Sequence, residues 1–294
     1  MQNAYPSFLE SEYAPKPPSQ AFFHCIPVPL EQSVSYGRGT SLGPSAILQA
    51  SAQLEAWENF LTPGKMGVYT AEPVDCTQSI VSILQRIEDK VEQTLACHGL
   101  PFLLGGEHTI TLGALAAFCK RKIPLGIVQI DAHADLRSSY EGSIYSHACV
   151  MFRACSDYSM PLVQLGIREY SAEEVVQQQV FHVTAYPAWE FFEQGLPKKL
   201  LPDSFPENVY VSFDVDGLDA SLMPATGTPS PGGFFYQDVC RILKQVASER
   251  HIVGFDVVEL APMAGLHSCD FTAAKIVHLL MALCLPKEGV SFQF

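Results

Sequence analysis

Short apolar runs alternate along the chain with longer segments whose apolar positions recur at helical spacing. Residues 21–26, 101–104, 125–130, 162–165, 209–213 and 252–258 predict strands. Several are apolar almost without interruption, and so read as strands covered on both faces, the habit of parallel sheets. Residues 44–60, 78–98, 110–121, 172–179, 236–248 and 272–285 predict helices. Strand and helix in alternation around one long core point to an α/β fold with a parallel sheet. Residues 1–20, rich in Pro, Ser and polar groups, predict an irregular arm. No repeat, low-complexity tract or composition break follows, so residues 21–294 read as a single domain.

Composition narrows the class. With 294 residues, 48% of them hydrophobic and 17% charged, the chain is neither disordered nor in need of disulfide or metal staples to fold. Nine cysteines, an odd number with no CxxC pair, predict free thiols in a reducing compartment. The first 20 residues lack the basic and apolar regions of a secretory signal. The apolar stretch 276–285 is too short to span a bilayer. A cytoplasmic protein is the expectation. A formal charge of −13 argues against nucleic acid or an anionic membrane as partner, and suits cationic ligands or metal ions.

The charges then change the picture by where they fall. Gly105-Gly106-Glu107-His108 follows one apolar run, and Asp131-Ala132-His133-Ala134-Asp135 follows another. Asp214-Val215-Asp216-Gly217-Leu218-Asp219 follows a third, and Glu259 closes a fourth. Ligands of open α/β sheets bind beyond the carboxyl ends of the strands. Asp131, His133 and Asp135 are spaced i, i+2, i+4, which in extended backbone places all three on one face. Four carboxylates at an apolar sheet edge must be protonated, paired or bound to cations, yet Arg137 is the nearest basic residue. With His108 and His133 they make six oxygen and nitrogen ligands without thiolate. That set suits two divalent ions of the Mn²⁺ kind, whose charge cancels the four carboxylates.

The segments GGEHTITLG, IDAHADLR, SFDVDGLD with PATGTPSPGG, and FDVVELAP resemble, in order, the signatures of the ureohydrolase family of arginases and agmatinases. SSYEGSIYSHACVMFRA is most similar to the agmatinase form of the loop that follows DAHAD. The resemblance runs from about residue 28 to 286. It implies a three-layer α/β/α fold with a central, mostly parallel sheet. It also implies two Mn²⁺ per subunit and hydrolysis of a small cationic guanidino substrate, agmatine first, to urea and an amine. Arginine, guanidinobutyrate, guanidinopropionate and a formimino compound are the alternative substrates, and a non-catalytic metal-binding homologue is the minor alternative. By the same resemblance His108, Asp131, Asp135 and Asp214 hold one metal, and Asp131, His133, Asp214 and Asp216 the other. Asp135, His147 and Glu259 are then the catalytic residues: Asp135 handling the proton of the attacking water, His147 transferring a proton or touching substrate, and Glu259 gripping the guanidinium. Family members are usually trimers or hexamers. The chain departs from the family pattern at residues 148–151 and 263–269. Its glycine-rich segment Tyr36-Gly37-Arg38-Gly39-Thr40-Ser41-Leu42-Gly43-Pro44 is not a dinucleotide fingerprint, because the last spacing is wrong.

Overall fold

Six of the eight strands begin where an apolar run begins. In the computed structural model, which describes residues 5–58 and 60–285, they are β1 (Phe23–Val28), β3 (Leu100–Gly105), β4 (Gly126–Ile130), β5 (Leu162–Leu165), β7 (Asn208–Asp214) and β8 (His251–Val258). Two short strands carry no apolar run and escape the sequence pattern: β2 (Val68–Thr70) and β6 (Thr184–Tyr186). Both are edge strands, half open to solvent, so burial does not dictate their composition. The sheet runs β2-β1-β3-β8-β7-β4-β5-β6 and every pairing is parallel.

Among the described residues eight α-helices flank the sheet: α1 (Gly43–Ser51), α2 (Ile80–Ala96), α3 (Thr111–Lys120), α4 (Val150–Tyr158), α5 (Ala172–Val180), α6 (Ala188–Gln194), α7 (Tyr236–Glu249) and α8 (His267–Leu283). Successive strand residues feed opposite layers, as the two-residue strand period requires. Phe102 and Leu104 pack on the side of α1, α7 and α8, while Leu103 packs on the side of α2, α3 and α4. Phe102 stacks on Phe255 of the neighbouring β8, ring centroids 5.2 Å apart. The result is one eight-stranded parallel sheet between two helical layers, the architecture expected from the motifs.

Three segments differ from the sequence expectation. α4 and α6 were not foreseen. α1 stops at Ser51 although the pattern continues to residue 60. Beyond it Glu58 pairs with Lys275 on α8, and the chain doubles back in a Glu58–Leu61 bridge. In the amino-terminal segment, Phe8 and Leu9 are buried in the core, with Phe8 edge-on to Phe102 at 5.8 Å. The ends of the predicted arm (residues 1–4) and of the predicted domain (residues 286–294) lie outside the described residues. All nine cysteines are free. No helix among the described residues is long and apolar enough to cross a membrane.

The chain leaves β3 past β8 and β7 to reach β4, continues outward to β5 and β6, and returns to fill the centre. The order of strands therefore reverses around β3-β8-β7-β4. The crevice that such a reversal opens lies beyond the carboxyl ends of these four strands.

Candidate active site

Each of the four central strands ends in a tight turn that lifts a polar side chain into the crevice. His108 opens the 3-10 turn His108–Ile110 after β3. Gly106 lets the chain reach it: a Cβ there would stand 2.4 Å from the carbonyl oxygen of Leu30. After β4 the chain is not extended, so the i, i+2, i+4 argument does not describe how its ligands converge. Asp131 instead accepts the amide of His133 at 2.6 Å, and Asp135 takes a left-handed backbone (φ 52°). The amides of Met151 and Phe152, entering α4, cap the Asp135 carbonyl at 3.0 and 3.1 Å. After β7 the 3-10 turn Val215–Gly217 folds Asp216 back, its amide donating to Asp214 at 2.9 Å. Glu259, just past β8, also has a left-handed backbone (φ 63°). Two non-glycine residues held so at one site are backbone strain maintained by the surrounding fold.

The six proposed ligands meet. His108 Nδ1 lies 3.0 Å from Asp135, 3.3 Å from Asp131 and 3.4 Å from Asp214. His133 Nδ1 lies 2.9 Å from Asp216 and 3.7 Å from Asp131. Two ligand groups result, His108–Asp131–Asp135 and Asp131–His133–Asp216, which share Asp131. Asp214 stands beside the first group. Its other oxygen takes the Asp216 amide, so the second bridging carboxylate expected from the motifs is not in the second group.

A metal pair fits these residues. His108 Nδ1 is buried and makes no hydrogen bond although three carboxylates surround it. Its Nε2 faces Ser212 Oγ at 2.8 Å, and Ser212 donates its only proton to Asp256 at 2.9 Å. The Nε2 atom therefore carries the ring proton and Nδ1 presents a lone pair, as a ligand must. Among the described residues, the ion pairs of the four aspartates are with His108 and His133. Without cations the cluster retains protons. Burial pushes Asp131 up to about 7, with Asp216 and Asp135 adding to it. Burial and Asp216 also raise Asp214 well above the carboxylate range. Burial acts the other way on the imidazoles, but the carboxylates outweigh it, holding His133 at about 11 and His108 well above its ordinary value. Asp216 is held low, because His133 overrides its burial.

The cluster forms one wall of a cavity of about 330 Å³. Glu259 lies beside it, 8% exposed, its Oε1 accepting the His108 amide at 2.6 Å. Burial lifts Glu259 to about 8; the His108 amide pulls it back and Glu107 adds to the rise. His147 and Ala148 line another wall, whereas Cys149, Val150 and Met151 turn into the core. Of the departure at residues 148–151, only Ala148 faces the cavity. The residues 263–269 run into α8 and do not line it.

Motif reading missed the residues that hold the ligands. Gln129 donates to Asp131 at 2.8 Å and is itself held by Gln164. Arg168 spans the carbonyls of Gly166, Asp216, Leu218, Ser230 and Pro231. Ser212 and Asp256 stand behind His108. Gln129, Ser212 and Asp256 did leave a signal: each is a buried polar residue in the interior of a mostly apolar strand.

A model of the arginase family matches residues 22–284. The chain belongs to the arginase family. Among the relatives of this arginase-family chain is the N(1)-aminopropylagmatine ureohydrolase of Thermus thermophilus, 35% identical over 261 residues, 88% of either chain. The agmatinase of Pyrococcus horikoshii is 30% identical over 260 residues, 87% of this chain and 89% of its own. Among solved structures, the agmatine ureohydrolase of Thermoplasma volcanium superposes with a TM-score of 0.83 at 30% identity, covering 92% of both chains.

Proposed function

We propose that this arginase-family ureohydrolase holds two Mn²⁺ on His108, Asp131, His133, Asp135, Asp214 and Asp216, and hydrolyses agmatine to putrescine and urea. The observation that carries the reading is a cluster of four aspartates and two histidines, buried but for His133, with which no Lys or Arg among the described residues forms an ion pair, and with Glu259 beside it in one cavity. Divalent ions, when bound there, supply a nucleophile from water at neutral pH and offset negative charge that develops at the attacked carbon.

The chain's own residues do the rest. Glu259 pairs with the planar guanidinium through two parallel hydrogen bonds and sets its carbon over the cluster. Asp135 accepts the proton of the attacking water. The departing amine must be protonated as the C–N bond breaks, and His147 carries that proton across the cavity.

The remaining wall argues for a cationic tail. Beyond the cluster it presents Glu169, Glu174, Tyr36, Tyr140 and Tyr170, with Arg137 its one Lys or Arg. Arg137 is already engaged, over the Tyr140 ring at 5.2 Å and 3.9 Å from Glu174. An amine tail finds the exposed Glu169 carboxylate there, while Glu174 is engaged by Ser171, the Leu136 amide and Arg137; the carboxylate of arginine, guanidinobutyrate or guanidinopropionate finds no unengaged Lys or Arg among the lining residues. A second reading, N(1)-aminopropylagmatine, is supported by the Thermus relative and by the exposed Glu169 on the cavity wall. The test is urea release from Mn²⁺-loaded protein across agmatine, N(1)-aminopropylagmatine, arginine, guanidinobutyrate, guanidinopropionate and formiminoglutamate. Agmatine should give the highest kcat/KM. A higher value for aminopropylagmatine establishes the second reading, and a carboxylate-tailed substrate ranked first overturns both.

A further inference from the structure

Glu107 and His147 are joined through one hydroxyl on a loop that no motif singles out. Ser33 lies between β1 and α1. Its Oγ donates to Glu107 Oε1 at 2.9 Å, accepts the backbone amide of His147 at 3.0 Å, and stands 3.1 Å from His147 Nδ1. Glu107 is fully buried. Its Oε2 takes the amides of Gln32 and Ser33, each at 2.7 Å, and its Oε1 also takes Thr109 Oγ1 at 3.1 Å. Four donors thus converge on one carboxylate and hold it rigidly under the loop.

A hydroxyl has one proton and two lone pairs. The Ser33 proton is committed to Glu107, and one lone pair to the His147 amide. What faces His147 Nδ1 is the other lone pair, so Nδ1 carries the ring proton. In the neutral ring Nε2 is then bare, on a residue that lines the cavity. Tyr140 packs edge-on against the same ring at 5.9 Å. Ser146 Oγ also approaches Nδ1, but at 3.4 Å. The arrangement is the counterpart of that at His108, where Ser212 and Asp256 leave the opposite nitrogen, Nδ1, bare.

We propose that Ser33, anchored by Glu107, is the positioning residue that sets the tautomer and aim of His147, so that Nε2 enters the cavity as a proton acceptor. This rests on His147 being the proton-transfer group. A proton reaching Nε2 from Asp135 or solvent makes the imidazolium, while Nδ1–H stays on Ser33. Its transfer to the leaving nitrogen as the C–N bond breaks restores the neutral ring.

The test is a set of variants, Ser33→Ala, Ser33→Thr, His147→Ala and Ser33→Ala/His147→Ala, assayed as Mn²⁺-loaded protein on the best guanidino substrate, with Mn²⁺ affinity measured in parallel. Ser33→Ala should lower kcat roughly 10- to 100-fold, the usual cost of removing the partner that orients a functional imidazole. KM and Mn²⁺ affinity should stay within about twofold. Ser33→Thr, which keeps the hydroxyl, should recover most of the rate. In the His147→Ala background, Ser33→Ala should cost less than about twofold, because the two residues act as one unit. Equal losses in both backgrounds, no rescue by threonine in a folded protein, or a loss confined to Mn²⁺ affinity overturns the assignment of Ser33. A His147→Ala variant with the wild-type rate overturns the role of His147 and the inference with it.

Discussion

Replacing Glu259 by Gln removes one charge and almost nothing else. The His108 amide donates to Oε1 at 2.6 Å, and a glutamine can present its carbonyl oxygen to the same donor. The loop behind the metal ligand therefore keeps its hydrogen bond. What is lost is the second oxygen and the negative charge, replaced by an NH₂ that meets the guanidinium donor to donor. Truncating one side of a buried, hydrogen-bonded charge pair costs about 2–5 kcal/mol. At about 1.4 kcal/mol per decade this is a fall in kcat/KM of roughly 30-fold to several thousandfold. The assay is urea release under kcat/KM conditions, with bound Mn²⁺ measured to show that the metal site is intact. The variant should also lose a pH limb. Burial puts Glu259 at about 8 in the metal-free site, and only its ionised form pairs with a cation. Wild-type kcat/KM should therefore climb as pH rises toward 8, with the limb displaced to lower pH where nearby divalent charge favours the carboxylate. A glutamine has nothing to ionise. A Glu259→Gln protein that retains Mn²⁺ and works within about threefold of wild type refutes the assignment of the guanidinium to Glu259.

Three further outcomes follow from the same geometry. Asp131→Asn should abolish urea release and lower Mn²⁺ content while the far-ultraviolet spectrum stays native. Because Asp131 accepts from both His133 and Gln129, an amide places a donor against a donor, and unfolding should show about 1–3 kcal/mol of lost stability. In chelator, the melting temperature should fall as pH rises from 6 to 8. Asp131, at about 7, and Glu259, at about 8, hold protons in the folded state that the unfolded chain has released by about pH 5, so stability present at low pH is lost through those values. Mn²⁺ replaces those protons, so its stabilising effect should be larger at pH 8 than at pH 6; a metal-free protein that melts higher at pH 8 contradicts this. Arg168→Lys should destabilise by about 2–3 kcal/mol in denaturant titration, because a point charge cannot replace a fork that spans five carbonyls.

The strands that carry the site were readable because burial on both faces forces apolar runs, and the candidate ligands because ionisable groups stand directly after those runs. β2 and β6 were not readable, since a three-residue edge strand, half-exposed throughout in β6 and at two of three positions in β2, has too little burial pattern to display. Nor was the end of α1, beyond which the chain turns and Glu58 meets Lys275, more than two hundred positions away. His133 and Asp135 share a sequence motif, and the extended-chain argument placed them on one face for the wrong reason: a turn closed on Asp131 and a left-handed Asp135 bring them together.

By itself the sequence determined which side chains are the candidates for binding cations and a guanidinium, and that a parallel sheet would carry them, because residue type and apolar period are local properties. Tertiary structure decided the state in which each works. Whether His108 presents Nδ1 and His147 presents Nε2 depends on Ser212 with Asp256 and on Ser33 with Glu107. The two serines lie 104 and 114 residues away from the rings they set. The physical reason is that a hydroxyl's single proton can serve only one acceptor, and folding alone chooses which acceptor stands within reach.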